Sequence, residues 1–576
     1  MKTARCKLIF RCNAFVTKKH ECYDSKQEIS LDRCACRGGY RLWGGAGPVA
    51  ASPDAVPVPA PGSSLVAKAS LVAPALGKFA WNIEAPITVA LKDPQGVAVT
   101  PITCQSADTS AVAVTADCSK TTLMRLGNQN IIVSGGAYTA TLALQGVPQR
   151  FWNGQHGVAS SFGVGDFSLV VASDGTAMGW GGNPFGVLGQ NNDLTTNSSS
   201  LPLSVLNAAG TAPLAQIHQV SAGEANAFAL SEDGGVWGWG RNASCNLAQT
   251  NCGNSVLLPV RVRNAANDNA LANVVQVEAG ASNQVALLDN GTVMTWGNYH
   301  GQGDTNQKNF PGLVKTPDGS APLANMVAVS AGNSFSLALS KDGKVYAWGY
   351  DLSQGRLGAG QTYSVPRPLP NTVKKLDGTE LTNIVSVSAG YNFSLAVAAD
   401  GSVWGWGDNS SAQLGQNNLS NSGVPYAVQV KAPSGGGLLA NIAMAAAGGN
   451  HALALDTTGK VFAWGLATSG QLGDGANRPA GNQSLLPRAV VGTDGLTQLG
   501  GVISIAAGYG GSTALQSDGT VLMWGGNFRG ALGRGEPAGT TFVNSPVPAP
   551  VVINANKTPL KITSLPSYPN MLRRSR

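Results

Sequence analysis

Few residues in this chain are spaced for covalent chemistry. His156, His218 and His300 occupy unrelated positions, and His451 follows Gly448-Gly449-Asn450 as a turn histidine would. There is no HExxH, no GxSxG, no Gly-Lys-Ser/Thr phosphate loop and no recurring His–carboxylate cluster. Five cysteines crowd the first 36 residues (Cys6, Cys12, Cys22, Cys34, Cys36) without the paired CxxC spacing of a zinc site. The other four form two local pairs, Cys104 with Cys118 and Cys245 with Cys252. Short isolated pairs are expected to be disulfides, which point to an oxidising compartment; four free buried thiols are the alternative. The chemistry on offer is recognition. Asp166, Glu224, Asn226, Asn283, Asn333, Tyr391, Asn392, Asn450, His451 and Tyr509 stand at one kind of loop, and Arg241, Tyr299, Tyr350, Asp351 and Asp408 at another.

The elements that must present these residues are repeats. From residue 156 an apolar strand ends in Ala-Gly, a second alternates apolar and small residues, Asp-Gly or a near relative follows, and a third strand ends in Trp-Gly. The tryptophans are Trp180, Trp239, Trp296, Trp348, Trp406, Trp464 and Trp524, at separations of 59, 57, 52, 58, 58 and 60. Gly165, Gly223, Gly280, Gly332, Gly390, Gly448 and Gly508 step in the same register. Period-two strands such as Leu395-Ala-Val397 place one side chain in two on a common face. Asp400-Gly401 supplies the positive φ of a tight hairpin. A Leu-Gly pair then closes most repeats (Leu188-Gly189, Leu357-Gly358, Leu414-Gly415, Leu472-Gly473, Leu532-Gly533). Such units must stack to bury their faces, and closing the stack leaves few free edges. With strands running alternately up and down, the loops after Ala-Gly and after Trp-Gly emerge on one face. Two repeats depart: the second has Asn246-Leu-Ala248 between its cysteines, and the third has Gln302-Gly303 with an expected irregular outer strand.

The fold class is therefore all-β. Charged residues make up 12% of the chain and glycines number 74 of 576, which suits short strands joined by tight turns. The net charge of +7 is confined to the ends: residues 1–45 carry +6, and Arg573, Arg574 and Arg576 add three, so the body is near neutral. A neutral body has no broad field for phosphates, and no nucleic-acid partner is expected. No apolar run is long enough to span a membrane, and residues 1–45 lack the apolar core of a signal peptide. Residues 1–66 read as an N-terminal segment of different composition plus a Pro/Ala-rich linker, 67–150 as a small β-sandwich, 156–565 as the repeats, and 566–576 as a basic tail. Residues 560–565 resemble the strand that begins each repeat, as do 157–162.

Two resemblances sharpen this reading. Ser106-Ala-Asp-Thr-Ser-Ala-Val-Ala-Val114, Gly127 and Tyr138-Thr-Ala-Thr-Leu142 resemble bacterial immunoglobulin-like domains of surface proteins. Ser388-Ala-Gly390, Ser394-Leu-Ala396, Asp400-Gly-Ser-Val-Trp-Gly-Trp-Gly407 and Gln413-Leu-Gly415 resemble the repeat of the regulator of chromosome condensation family. The second resemblance implies a seven-bladed β-propeller of four-stranded blades. It also brings guanine-nucleotide exchange on a small GTPase and ultraviolet-B sensing into view. The wedge hairpin that exchange would need is not evident, and the receptor's Gly-Trp-Arg-His-Thr motif is absent. The function expected is non-enzymatic protein or glycan binding, without a cofactor, by a secreted or bacterial cell-envelope protein. The alternatives are a cytoplasmic exchange-factor-like regulator of a small GTPase, and a propeller lyase or enzyme inhibitor.

Overall fold

The computed structural model describes residues 68–69, 78–80, 84–93, 95–147, 158–160, 166–192, 198–476, 482–537 and 541–562. The segment 1–66 with its five cysteines, the tail 566–576, His156 and Gly165 lie outside the described residues.

Each repeat forms one four-stranded antiparallel sheet whose strands follow chain order, giving seven such sheets among the described residues. The fifth is representative: Ile384–Ala389, Phe393–Ala398, Val403–Asn409 and Ser420–Gln429. Its hairpin turns at Gly401 with φ +80°, and Asp400 Oδ1 accepts the Ser402 amide at 2.9 Å. That Asx turn is why Asp precedes Gly so regularly here. The outer strand of the third sheet, Lys308–Leu313, pairs with one register shift, as in the second sheet, so it is no more irregular than its neighbour.

Three devices recur at the junctions between neighbouring sheets. The first is the tryptophan, fully buried in all seven sheets. Removing an indole from water is worth roughly 4–6 kcal/mol at about 25 cal/mol per Å2. Its Nε1–H must also find an acceptor, and six of the seven reach back to a carbonyl of the preceding sheet, in the residue before Leu-Gly or its counterpart. Trp239 donates to Val187 at 2.7 Å, Trp296 to Asn246 at 2.6 Å, and Trp406 to Arg356 at 3.0 Å. Trp464 donates to Gln413 at 2.7 Å and Trp524 to Gln471 at 3.0 Å. Trp180 of the first sheet donates to Ala531 of the seventh at 2.9 Å. Trp348 has no acceptor.

That exception explains a misaligned repeat. Gly301, not Gly303, occupies the Leu-Gly position of the third repeat: a Cβ there would meet Trp348 as one on Gly358 would meet Trp406, and Lys315 N donates to its carbonyl as Lys374 N does to Gly358. His300 thus replaces the leucine and is buried. Its Nε2 bonds the Asn306 carbonyl, and its own carbonyl accepts from Thr295 Oγ1.

The second device explains Ser-Ala-Gly. The Oγ atoms of Ser221, Ser330 and Ser388 each accept, at 3.0 Å, the amide of an alanine in the next sheet: Ala279, Ala389 and Ala447. Gln219 and Gln276 clamp the peptide groups of Val277 and Val329 in the same direction. The third device is close approach. A Cβ on Gly223, Gly280, Gly332, Gly390 or Gly448 would stand 2.5–2.6 Å from the carbonyl oxygen of the next sheet's glycine. Only glycine lets the first strands converge so tightly.

The first and seventh sheets meet through one apolar cluster containing Val170, Trp180, Val521, Met523 and Leu532. Gly535 N also donates to Ser200 O at 2.9 Å. Of the two surplus strand copies, Val158–Ser160 pairs within the first sheet. Ile562 N donates to Gly519 O at 2.8 Å, as Val502 N does to Gly459 O one sheet earlier. The chain therefore leaves the seventh sheet as if to begin another.

The smaller domain distributes its strands over sheets of three, four and three around one core that includes Leu91, Val112, Leu123, Ile131 and Leu144. Cys104 and Cys118 are bonded within it, their Cα atoms 5.1 Å apart. Arg125 pairs with Asp289 at 3.2 Å, and Leu126 N donates to the other oxygen of that carboxylate at 3.0 Å. Asp289 flanks the Asn290-Gly291 hairpin, so this domain sits on the hairpin face of the repeats.

The tryptophan exception gives a test. Trp239→Phe strands a buried carbonyl whereas Trp348→Phe removes an unpaired donor, so the first should be more destabilising by about 1 kcal/mol in denaturant melts. Equal losses would show that the hydrogen bond contributes nothing beyond packing.

Candidate partner-binding face

The loops after Ala-Gly and after Trp-Gly emerge together on the face opposite the hairpins, away from the smaller domain. Positions read from sequence divide there into two groups. Asn226, Asn283, Asp351 and His451 are fully buried and Asp408 nearly so. Asn283 Nδ2 donates to Phe335 O at 2.8 Å and Ser336 Oγ at 2.9 Å, another tie between sheets. Asp351 accepts the amides of Leu357, Gly355 and Tyr363 at 2.8–3.1 Å, holding the Leu-Gly turn. Asn183, Asn409 and Asn527 do the same for Leu188, Leu414 and Leu532. Asp408 accepts from Ser410 N at 2.9 Å and Gln413 Nε2 at 3.0 Å. The Asn226 amide finds no partner.

The residues turned toward solvent are Asp166, Glu224, Arg241, Tyr299, Asn333, Tyr350, Tyr391, Asn392, Asn450 and Tyr509, all at least partly exposed. The structure gathers the tyrosines into two pairs. Tyr299 and Tyr350 have ring centroids 5.5 Å apart, and Tyr391 meets Tyr509 edge to face at 5.8 Å. Arg241 lies over the Phe185 ring at 5.6 Å. Burial pushes the Asp166 carboxyl up to about 6 against the opposing pull of Arg529. Burial also raises the Tyr391 phenol, aided by Glu224 and Tyr509. The Cys245–Cys252 disulfide, Cα atoms 4.8 Å apart, staples a loop of this face. There Ala248 holds φ +49°, the left-handed backbone that glycine supplies in the other Leu-Gly turns.

Sequence reasoning missed four residues of this face. Arg356 is entirely buried, with Nη1 donating to Asn333 O at 2.5 Å and its guanidinium 5.6 Å from the Phe335 ring centroid. Burial pulls its pKa down to about 10, while Asp351, Tyr391, Asp408 and Tyr299 hold it charged. Phe185, Leu352 and Phe528 are exposed apolar side chains, the last 50% open. All four lie between Trp-Gly and Leu-Gly, and the signal was their size or charge where the other repeats carry small or amide residues.

His451 is walled off from solvent. Its Nε2 bonds Ser512 Oγ at 2.8 Å, Nδ1 has no partner, and burial lowers its pKa to about 4. The unfolded chain binds this proton near pH 6.5, so the native state gives up stability as pH falls from there to about 4. The loss should approach about 3 kcal/mol, and His451→Asn, the residue found at positions 226 and 283, should flatten the slope in melts across that range. An unchanged slope would place the pH response elsewhere.

Comparison with known proteins follows the repeats. Residues 300–567 match the RCC1-like domain, and residues 217–245 and 233–287 match the regulator of chromosome condensation (RCC1) repeat. The Ultraviolet-B receptor UVR8 of Arabidopsis thaliana is 28% identical over 329 residues, 56% of this chain and 68% of the receptor. The mitochondrial RCC1 domain-containing protein RUG3 of the same plant is 31% identical over 304 residues, 51% of this chain and 62% of that protein. The crystal structure of Prp20p from Saccharomyces cerevisiae, described with its binding to Gsp1p and histones, shares the fold at TM-score 0.51 and 22% identity. The match covers 66% of this chain and 85% of Prp20p. Residues 217–287 and 300–567 of the repeat region are thus similar to the repeats of the regulator of chromosome condensation family.

Proposed function

We propose that the seven sheets close into a seven-bladed propeller whose loop face binds a protein partner without catalysis. The observation that carries this reading is the division of labour on that face. Buried polar side chains hold the turns, while exposed apolar and aromatic ones (Phe185, Leu352, Tyr509, Phe528) differ from repeat to repeat around a rigid frame. Exposed aromatics on a fixed scaffold are the usual anchors of protein interfaces. The smaller domain, read as immunoglobulin-like, serves as a stalk on the opposite face. The two disulfides support an extracytoplasmic location, in the cell envelope or secreted. Binding to a small GTPase is the alternative within the same family, and it places the partner in the cytoplasm.

The test uses the full chain as bait against extracellular and cytosolic protein fractions. The combined variant Phe185→Ser, Tyr350→Ala and Phe528→Ser should lose a captured partner at least tenfold while its melting temperature stays near the parent's. A partner retained in full by that variant contradicts the reading. Capture of a small GTPase from the cytosolic fraction, with nothing from outside, favours the alternative.

A further inference from the structure

The second repeat closes its turn differently from the other six. They end the turn on glycine (Gly301 in the third repeat), at φ between +60° and +71°. The second places Ala248 there, at φ +49° and fully buried. A Cβ disfavours that left-handed backbone, so this turn needs a restraint the others lack. The Cys245–Cys252 disulfide supplies it, the one covalent tie at these turns among the described residues. The loop it closes is also where the second sheet grips the third. Asn246 O accepts the Trp296 indole N–H at 2.6 Å, and Asn246 Nδ2 donates to Ala281 O at 3.3 Å. Asn298 Nδ2 donates to Ser244 Oγ at 3.3 Å, and Gln307 Nε2 to Cys245 Sγ at 3.0 Å. Access separates this disulfide from the other. Cys104 and Cys118 are both buried, whereas Cys252 is partly exposed beside a buried Cys245.

Thiol–disulfide exchange begins with a thiolate reaching an accessible sulfur. We infer that Cys245–Cys252 is a reducible latch: an external dithiol opens it, and the loop-face junction of the second and third sheets loosens. The dithiol's thiolate attacks Cys252 Sγ, the S–S bond breaks, and Cys245 leaves as a thiolate that takes up a proton. The second sulfur of the dithiol then attacks the mixed disulfide, forming the reductant's own disulfide and releasing Cys252, which is protonated in turn. The protein gains two electrons and two protons. With the restraint gone, Ala248 leaves the left-handed region, and the contacts of Ser244 and Asn246 with the third sheet go with it. The latch does not depend on which partner the face binds.

The experiment treats the folded full chain with dithiothreitol, traps thiols with iodoacetamide and maps each cysteine by mass spectrometry. Amide exchange is read on parallel samples that are not alkylated. Cys245 and Cys252 should be alkylated at least ten times faster than Cys104 and Cys118. Exchange at residues 244–253 should then quicken at least tenfold, while the matching turn of the fifth repeat, residues 409–415, stays within twofold. Ala248→Gly should still be reduced, yet its turn should exchange within twofold of the oxidised parent. The double variant Cys245→Ser, Cys252→Ser should exchange like the reduced parent and ignore dithiothreitol. Should it fail to fold, the parent and Ala248→Gly decide. A Cys245–Cys252 bond that resists reduction in the folded chain, or Cys104–Cys118 opening as readily, overturns the latch. So does a reduced parent whose turn exchanges as slowly as the oxidised one. An Ala248→Gly turn that loosens as much as the parent's overturns it too.

Discussion

Everything in the repeat region depends on how one sheet is fastened to the next, and the tryptophan does most of that. A four-stranded sheet of this size has two faces to bury and little within itself to bury them. The indole fills the gap between neighbouring sheets, while its N–H reaches back to the turn that ends the preceding repeat. One residue thereby couples the core of one sheet to the loop geometry of another. The serine of Ser-Ala-Gly and the inner glycine repeat the coupling nearer the axis, by hydrogen bond and by close approach. Because Trp180 makes the same bond to Ala531, the rule that joins neighbours also joins the first sheet to the last.

This frame sets what the loops are free to do. Turn asparagines and aspartates are committed to holding backbone, while Tyr391 and Tyr509 pack edge to face beside Gly449. Variation is tolerated where a side chain leaves the frame, and that is where aromatic and charged residues collect. The smaller domain meets the frame through Arg125, Leu126 and Asp289 on the hairpin face, so it does not compete for the loop face.

Much of the frame is legible in the sequence because its elements repeat: Trp-Gly, Asp-Gly and Ala-Gly each mark a strand end by a backbone requirement. Even the serine before Ala-Gly was visible, although only the structure assigns it an acceptor role toward the next sheet. Register was misread where repetition fails. His300-Gly301 carries the turn that Gln302-Gly303 resembles, because a buried histidine replaces leucine there. Burial was the least legible property of the loops. Nothing in the one-dimensional pattern separates Asn283, which ties two sheets, from Asn333, which is half open. Arg356 was invisible because it directly precedes Leu357-Gly358 and reads as framework.

The central claim is that the tryptophan contact fastening most neighbouring sheets also joins the first sheet to the seventh and closes the proposed ring. Amide hydrogen exchange on the intact chain, followed by mass spectrometry, tests it most directly. A continuous ring predicts that the first-sheet strands Phe167–Val171 and Ala177–Gly181 are protected as strongly as Phe393–Ala398 in the fifth. The same holds for Gly511–Gln516 and Val521–Gly525 of the seventh. Exchange in the first and seventh sheets faster than in the middle five by an order of magnitude or more would mean the array is open there, and would contradict the account.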